Sequence, residues 1–416
     1  FPSVSLGWRP TEESFMEFYK EKIGDLKLRA SYGILGSQAI GTYDRFTVYD
    51  VYDNSYAYNN KTVSGAGFKL GLENLTWEKT QTFNIGVDAS FLQNSLTVTF
   101  DYFHKRTNDI LMKPLISSVF GTEMPMANIG KMQNQGWDLS VNYRLKTGAF
   151  THNFNFNLGD SWNKVLEFPG DEQITQVEEL SRIIRVGVPL NSYYGYKMAG
   201  FFQSYDEIEA SAIPVGAKVQ PGDIKFVDRN DDGIIDSKDK FILGNAFPRY
   251  TFGFTYGLNW KGIDFSMFWQ GVGKRDMMLR GELIEPYHAN YSYTIYKHQL
   301  DFWTPTNTEA RWPRLAAPGS DSNRNNYGNG NGSDLFLLDG KYLRLKNLTI
   351  GYTLPKEWTK HLGMQKARLY INGQNLLTFS NNSFIDPESS EFDSKMSTSG
   401  ANSGRSYPTL RYFGFG

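Results

Sequence analysis

The chain has 416 residues, with 43 basic against 44 acidic side chains and a mean hydropathy of −0.46, a balance that argues against a nucleic-acid surface. Aromatics reach 15 % (25 Tyr, 30 Phe, 9 Trp) and cysteine is absent, yet no run approaches the roughly 18 apolar residues a membrane helix needs. Helical spanning is therefore excluded, whereas a spanning β-barrel, apolar only at every second strand residue, fits both facts. Length alone would also allow two or three soluble domains. The chain opens on Phe1-Pro2-Ser3-Val4 rather than on an initiator Met, so it reads as a fragment without its leader.

Taken in order, the chain shows about eleven amphipathic ribbons near 1–9, 24–35, 78–92, 95–106, 134–146, 149–162, 249–260, 262–272, 340–354, 366–378 and 409–416. Thr82–Phe91 sets the pattern: Phe83, Ile85, Val87, Ala89 and Phe91 alternate with Asn84, Gly86, Asp88 and Ser90. Successive strand side chains point to opposite faces, so each ribbon has one greasy and one wet side. Within 342–352 the apolar set changes parity across Lys346-Asn347, as a β-bulge would make it do. The last ribbon is too short to span, so a few residues are expected beyond Gly416. Trp77, Trp137, Trp162, Trp260, Trp269, Tyr143 and Tyr352 fall near ribbon ends, where interfacial aromatic girdles belong.

Connectors of two kinds alternate strictly. The short ones are Gln93-Asn94, Lys146-Thr147-Gly148 and Lys261-Gly262, hairpin turns whose Gly and Asn tolerate positive φ. Two longer members, 10–23 and 355–365, each read as a brief helix, the second with Pro355 in its first turn and Gly363 at its C-cap. The long connectors are 36–77, 107–133, 163–248, 273–339 and 379–408. Bacterial barrels place short turns in the periplasm and long loops outside the cell. The expected fold is thus an all-β, transmembrane antiparallel β-barrel with long extracellular loops and a periplasmic C-terminus. The odd strand count marks it as the C-terminal part of a larger even-stranded barrel. A soluble sandwich or propeller would have turns of similar length on both sides.

The sharpest local motif is Asp228–Asp239. Asp228, Asn230, Asp232, Ile234 (through its carbonyl), Asp236 and Asp239 occupy positions 1, 3, 5, 7, 9 and 12 of the twelve-residue calcium loop, with Gly233 at the sharp turn. Asp239 replaces the usual Glu, and no flanking helix is evident. A structural Ca2+ that orders a loop is the expectation; a solvated Asx turn is the plainer reading. Tyr287, Tyr291, Tyr293 and Tyr296, with His288, Phe302, Trp303 and Trp312, are candidate ligand contacts, since aromatic faces stack on sugar rings or peptide side chains. Each single ring is more often loop packing. The Asn/Gly/Ser run Asp321–Ser333 reads as a mobile loop tip. No HExxH, nucleophile elbow or P-loop occurs, no catalytic residue is nominated, and a non-enzyme is expected.

The order and spacing of several stretches resemble the C-terminal barrel portion of SusC-like TonB-dependent outer-membrane transporters. They are Phe1–Arg9, Leu26–Gly33, Asn134–Asp138, Tyr194-Gly195-Tyr196, Pro221-Gly222-Asp223, Phe302–Asn307, Tyr342–Leu348 and Asn372–Leu376. The resemblance implies a plug domain and a TonB-contacting segment ahead of residue 1, and a barrel of the 22-stranded, plugged class. It implies a SusD-like surface lipoprotein as lid, an oligosaccharide or oligopeptide as cargo, and the outer membrane of a Gram-negative, Bacteroidota-type cell. No ligand-binding residue carries over, because the matched motifs are scaffold. A siderophore- or cobalamin-type receptor without a lid, a non-transporting surface binder and a passive porin are the alternatives.

Overall fold

The structure, a computed structural model, describes residues 1–416 except 39–40, 42, 115–118, 120–123, 171, 178–179, 289–292, 329, 362, 389–400 and 403–406, and the side chains of 53–55, 176–177 and 401–402. One antiparallel sheet of eleven strands dominates, and its strands pair in chain order. They are β1 (Ser3–Trp8), β2 (Leu26–Ser37), β3 (Glu78–Phe91), β4 (Leu96–Met112), β5 (Ala127–Thr147), β6 (Phe150–Glu167), β7 (Arg249–Trp260), β8 (Ile263–Lys274), β9 (Tyr342–Thr353), β10 (Arg368–Ser380) and β11 (Tyr412–Phe415). Each expected ribbon is one of these strands. Among the described residues β1 and β11 each keep one unpaired edge, so the sheet is a length of barrel wall.

Register turns the period-two pattern into rows across the wall. Val87, Phe100, Leu139, Leu158 and Phe252 stand side by side on the apolar face. One residue along, Gly86, Asp101, Asp138, Gly159 and Thr251 form a row on the opposite face. On that polar face Arg29 Nε donates to Asp88 (2.8 Å) and its Nη groups donate to Asp101 (2.9 Å), tying three strands. Asp264 and Arg368 pair likewise across β8 and β10. A one-residue slip would bury these charges in the apolar face, so the pairs reinforce the register.

The expected parity break is present. Lys346 has no Cα partner on β8, where Phe268 pairs with Asn347 and Trp269 with Leu345. The three tightest turns carry left-handed residues, Leu92, Gln93 and Asn94, then Gly148, then Lys261 and Gly262. Gly262 (φ +89) is required, because a Cβ there would come within 2.9 Å of the Thr353 carbonyl. The helix Lys356–His361 ends at Gly363 (φ +68), as expected. At the short-turn end the rings of Phe150 and Trp260 stack at 5.3 Å and Phe154 meets Tyr256 at 4.9 Å.

β4, β5 and β6 run past their expected ends at 106, 134 and 162, to Met112, from Ala127 and to Glu167. Beyond Thr107 the β4–β5 register slips around Asp109, which is left-handed (φ 59). Leu111 and Val165 of these ends are buried, but their apolar residues are adjacent (Ile110-Leu111-Met112, Val165-Leu166), so no period-two alternation is there to read.

The buried core lies in the loops rather than the wall. A single-layer wall exposes both faces of every strand, whereas the loops at the long-connector end pack on each other. Leu180 and Tyr193 of loop 163–248 join Met277, Met278, Leu279, Ile284, Trp312 and Phe336 of loop 273–339, with Phe384 and Ile385 of loop 379–408 against them. A second cluster gathers Tyr196, Phe201, Ile224, Phe226 and Ile235 around Trp303.

Candidate functional site

The long-loop end is held by contacts between segments far apart in sequence. Gly222 (φ +92) has no room for a Cβ, which would sit 2.3 Å from the Trp303 indole. Its N–H donates to the Phe202 carbonyl (2.7 Å) and its carbonyl accepts from Arg314 N–H (2.8 Å). Trp303 Nε1 in turn donates to Gln203 Oε1 (3.1 Å). The Pro221-Gly222-Asp223 and Phe302–Asn307 motifs therefore meet as one clamp between two loops.

Asp223, fully buried, extends that clamp. It accepts from Ser322 Oγ (2.8 Å), Asn326 Nδ2 (3.1 Å) and Gln220 N–H (2.8 Å). Asn326 Oδ1 accepts from Ile224 N–H (2.9 Å), and Asn325 Nδ2 donates to Ile224 O (3.1 Å). Burial pushes the Asp223 carboxyl up despite these bonds. Sequence composition had suggested a mobile tip over Asp321–Ser333; instead Asp321–Tyr327 is a helix, N-capped by Ser320, with Ser322, Asn323, Asn325, Asn326 and Tyr327 buried. The asparagines that made the run look like linker are the groups that satisfy the backbone of the neighbouring loop.

The aromatic candidates separate. Trp312 is wholly buried and Trp303 is 7 % exposed, so both are core residues of the loop assembly and offer no ring to a ligand. Trp312 Nε1 donates to the His298 carbonyl (2.7 Å), and the His298 ring stacks on Phe384 at 3.9 Å. Tyr287 and Tyr296 are half-buried; Tyr293 is 61 % exposed and left-handed (φ 53). Tyr291 lies outside the described residues. Burial depresses the basicity of His298, whose Nε2–H donates to the Leu283 carbonyl at 2.9 Å.

The calcium-like loop is a closed set of local bonds. Gly233 N–H donates to Asp228 Oδ2 (2.8 Å), Ile234 N–H to Asp232 Oδ1 (3.1 Å) and Lys238 N–H to Asp236 Oδ1 (2.7 Å). Asp239, fully buried, accepts from Arg229 N–H (2.9 Å) and Asp236 N–H (2.7 Å). Its shortened side chain thus caps the Ser237–Asp239 turn. Among the described residues no three His, Cys, Asp or Glu side chains converge as a metal set. The fit to a cation rests on one atom: Asp228 Oδ1 is buried without a hydrogen-bond partner.

Two features escaped sequence reading. Arg344, on β9 and 4 % exposed, donates to Asp386 (2.6 Å), Glu388 (2.7 Å) and Thr378 (2.9 Å), pinning loop 379–408 to the wall. Its position between Leu343 and Leu345, just before the bulge at Lys346, was the available signal. Loop 36–77 contains an antiparallel hairpin, Val48–Tyr58 with Lys61–Lys69, that makes no extensive contact with another described element. Tyr49, Val51, Tyr56, Tyr58 and Phe68 stand exposed on it, Tyr58 at 78 %. Gly65 and Gly67 let the rings of Tyr56 and Tyr52 lie across the partner strand.

The chain as a whole is similar to known proteins. TonB-dependent receptor P26 of Formosa agariphila is 34 % identical over 409 residues, covering 94 % of this chain and 39 % of its own length. TonB-dependent receptor SusC of Bacteroides thetaiotaomicron is 30 % identical over 406 residues, covering 93 % and 37 %. The solved RagAB peptide transporter superposes with a TM-score of 0.77 at 22 % identity, over 99 % of this chain and 42 % of that one. The chain thus spans about two fifths of the length of the curated relatives it matches. The family described as TonB dependent receptor-like, beta-barrel matches residues 1–376, and the chain belongs to it.

Proposed function

We propose that the whole protein imports a bulky nutrient, an oligosaccharide or oligopeptide, across the outer membrane in a TonB-dependent manner. In this reading the long loops are extracellular, the C-terminus is periplasmic, and a SusD-like lipoprotein closes the long-loop mouth. The observation that carries it is the wall itself: an apolar outer face, a polar inner face laced by Arg29, Asp88 and Asp101, and loops folded into a platform at one end only. Tyr287, Tyr293 and Tyr296 are the platform rings left for ligand contact.

The lid seats on the Val48–Lys69 hairpin. A two-stranded ribbon alone in water is marginally stable, and exposed aromatic patches mark interaction surfaces. Purified from its native membrane, the full-length protein should bring down a lipoprotein of comparable size, and deleting 48–69 should weaken that association while heat-modifiable migration of the barrel persists. A barrel that purifies alone would favour the siderophore- or cobalamin-type alternative. Nutrient uptake that survives loss of the proton-motive force would remove the TonB-dependent reading.

Loop 228–239 supports a second, structural reading as a calcium site, since Asp228 Oδ1 is buried and lacks a partner. Added Ca2+ should raise the melting temperature saturably, because a ligand that binds only the folded loop stabilises it by mass action. The Asp228→Asn variant should lose that rise. A melting temperature indifferent to Ca2+ and to chelator removes the metal.

A further inference from the structure

Where β8 leaves the wall and enters the loop core, the chain presents a guanidinium that no carboxylate among the described residues pairs with. The backbone around Arg275 is fixed on both sides: its carbonyl accepts from Gly340 N–H (2.7 Å), and the next residue exchanges bonds with Asn245 (Asp276 N–H to Asn245 O, 3.2 Å; Asn245 N–H to Asp276 Oδ2, 2.9 Å). The side chain is held by one bond, from Nη1 to the Pro387 carbonyl (3.3 Å), and its Nε is buried without an acceptor. The charged neighbours do not compensate it. Arg249 is matched by Asp160, and Asp276, which accepts from Asn245 N–H, offsets Lys274 one for one, so the Arg275 charge is left in excess.

Arg275, Lys274, Arg249, Asp276, Asn245 and Trp162 line one concavity of about 220 Å³ at the junction of wall and loops. A water could accept from Nε but would leave the buried charge unmatched, and an unmatched buried ion is costly. A planar oxyanion satisfies both, since the guanidinium fork matches a carboxylate or phosphate in bidentate geometry. We infer that this pocket is an oxyanion-binding site, centred on Arg275 and suited to a carboxylate or phosphate group of a bound molecule. Lys274 supplies long-range attraction and Arg275 the directional bonds. The inference does not depend on the transported nutrient.

The test is calorimetric titration of the full-length transporter in detergent micelles with glucuronate, inorganic phosphate and neutral glucose. Saturable binding of glucuronate but not glucose is expected, weakened by about tenfold or more in Arg275→Gln and less in Arg275→Lys. Binding of phosphate without glucuronate would keep the anion site and assign its occupant to a phosphate group, such as a lipid headgroup. No binding of either anion, or equal binding by Arg275→Gln, overturns the inference. Should Arg275→Gln fail to fold, wild-type crystals soaked in bromide decide: anomalous density within hydrogen-bond reach of Arg275 Nε supports the site, and its absence sinks it.

Discussion

Replacing Arg344 with alanine should detach loop 379–408 from the wall, at a cost of about 3–5 kcal/mol. The size follows from burial: Arg344 and Asp386 are 4 % and 8 % exposed, so removing the cation leaves Asp386 charged in a place water does not reach. Glu388 would keep its bond from Lys346 Nζ (2.8 Å), whereas Asp386 would keep backbone N–H donors but lose the cation that balances its charge. Although burial pushes the Asp386 carboxyl up, the bonds from Arg344, from the Glu388 N–H and from Thr409 prevail and hold it below its ordinary 3.8. A carboxyl with a depressed folded pKa stabilises fully above the ordinary value and loses that contribution as pH falls through the folded one. Wild-type protein in strong acid should therefore resemble Arg344→Ala at neutral pH. Protease cleavage between 381 and 411 reads the detachment. Pairing Arg344→Met with Asp386→Leu should recover much of the protection, because replacing both partners leaves no unpaired charge. Equal protection of wild type and Arg344→Ala would refute the pinning role.

Trp312→Ala should destabilise the joined loops by about 3–5 kcal/mol, the range for deleting a fully buried large aromatic. It removes more than volume: the indole N–H holds the His298 carbonyl, and the Arg311 guanidinium lies 5.5 Å from the ring centroid. Hydrogen exchange should rise across both 273–339 and Leu180–Arg185, since Leu180 shares that core. Tyr293→Ala, 61 % exposed, should change stability within about 0.5 kcal/mol. A Trp312→Ala protein that kept its exchange protection but lost ligand affinity would return Trp312 to the list of ligand contacts.

The two experiments divide the molecule where sequence reasoning divided. All eleven wall strands were legible, because period-two alternation is written in neighbouring residues and survives wherever one strand face meets an apolar medium. The bulge at Lys346 was legible for the same reason: a parity change is local. The extensions of β4, β5 and β6 were not, since their apolar residues are adjacent rather than alternating, as in Ile110-Leu111-Met112 and Val165-Leu166. Asn325 and Asn326 were misjudged on composition, which counts polar groups without saying what they bond. Trp303 and Trp312 were ambiguous, as an aromatic in a long loop gives one signal whether it packs or waits for a ligand.

The amino-acid sequence by itself determined the wall, its two faces, its turns and its likeness to SusC-type barrels. Only the tertiary structure decided what the loops do. The reason is distance along the chain. Asp223 and Ser322, the joint of the loop platform, lie 99 positions apart. Arg344 and Asp386 lie 42 apart. Such pairs are chosen by packing and by the cost of burying an unmatched polar group, and neither leaves a period in the sequence.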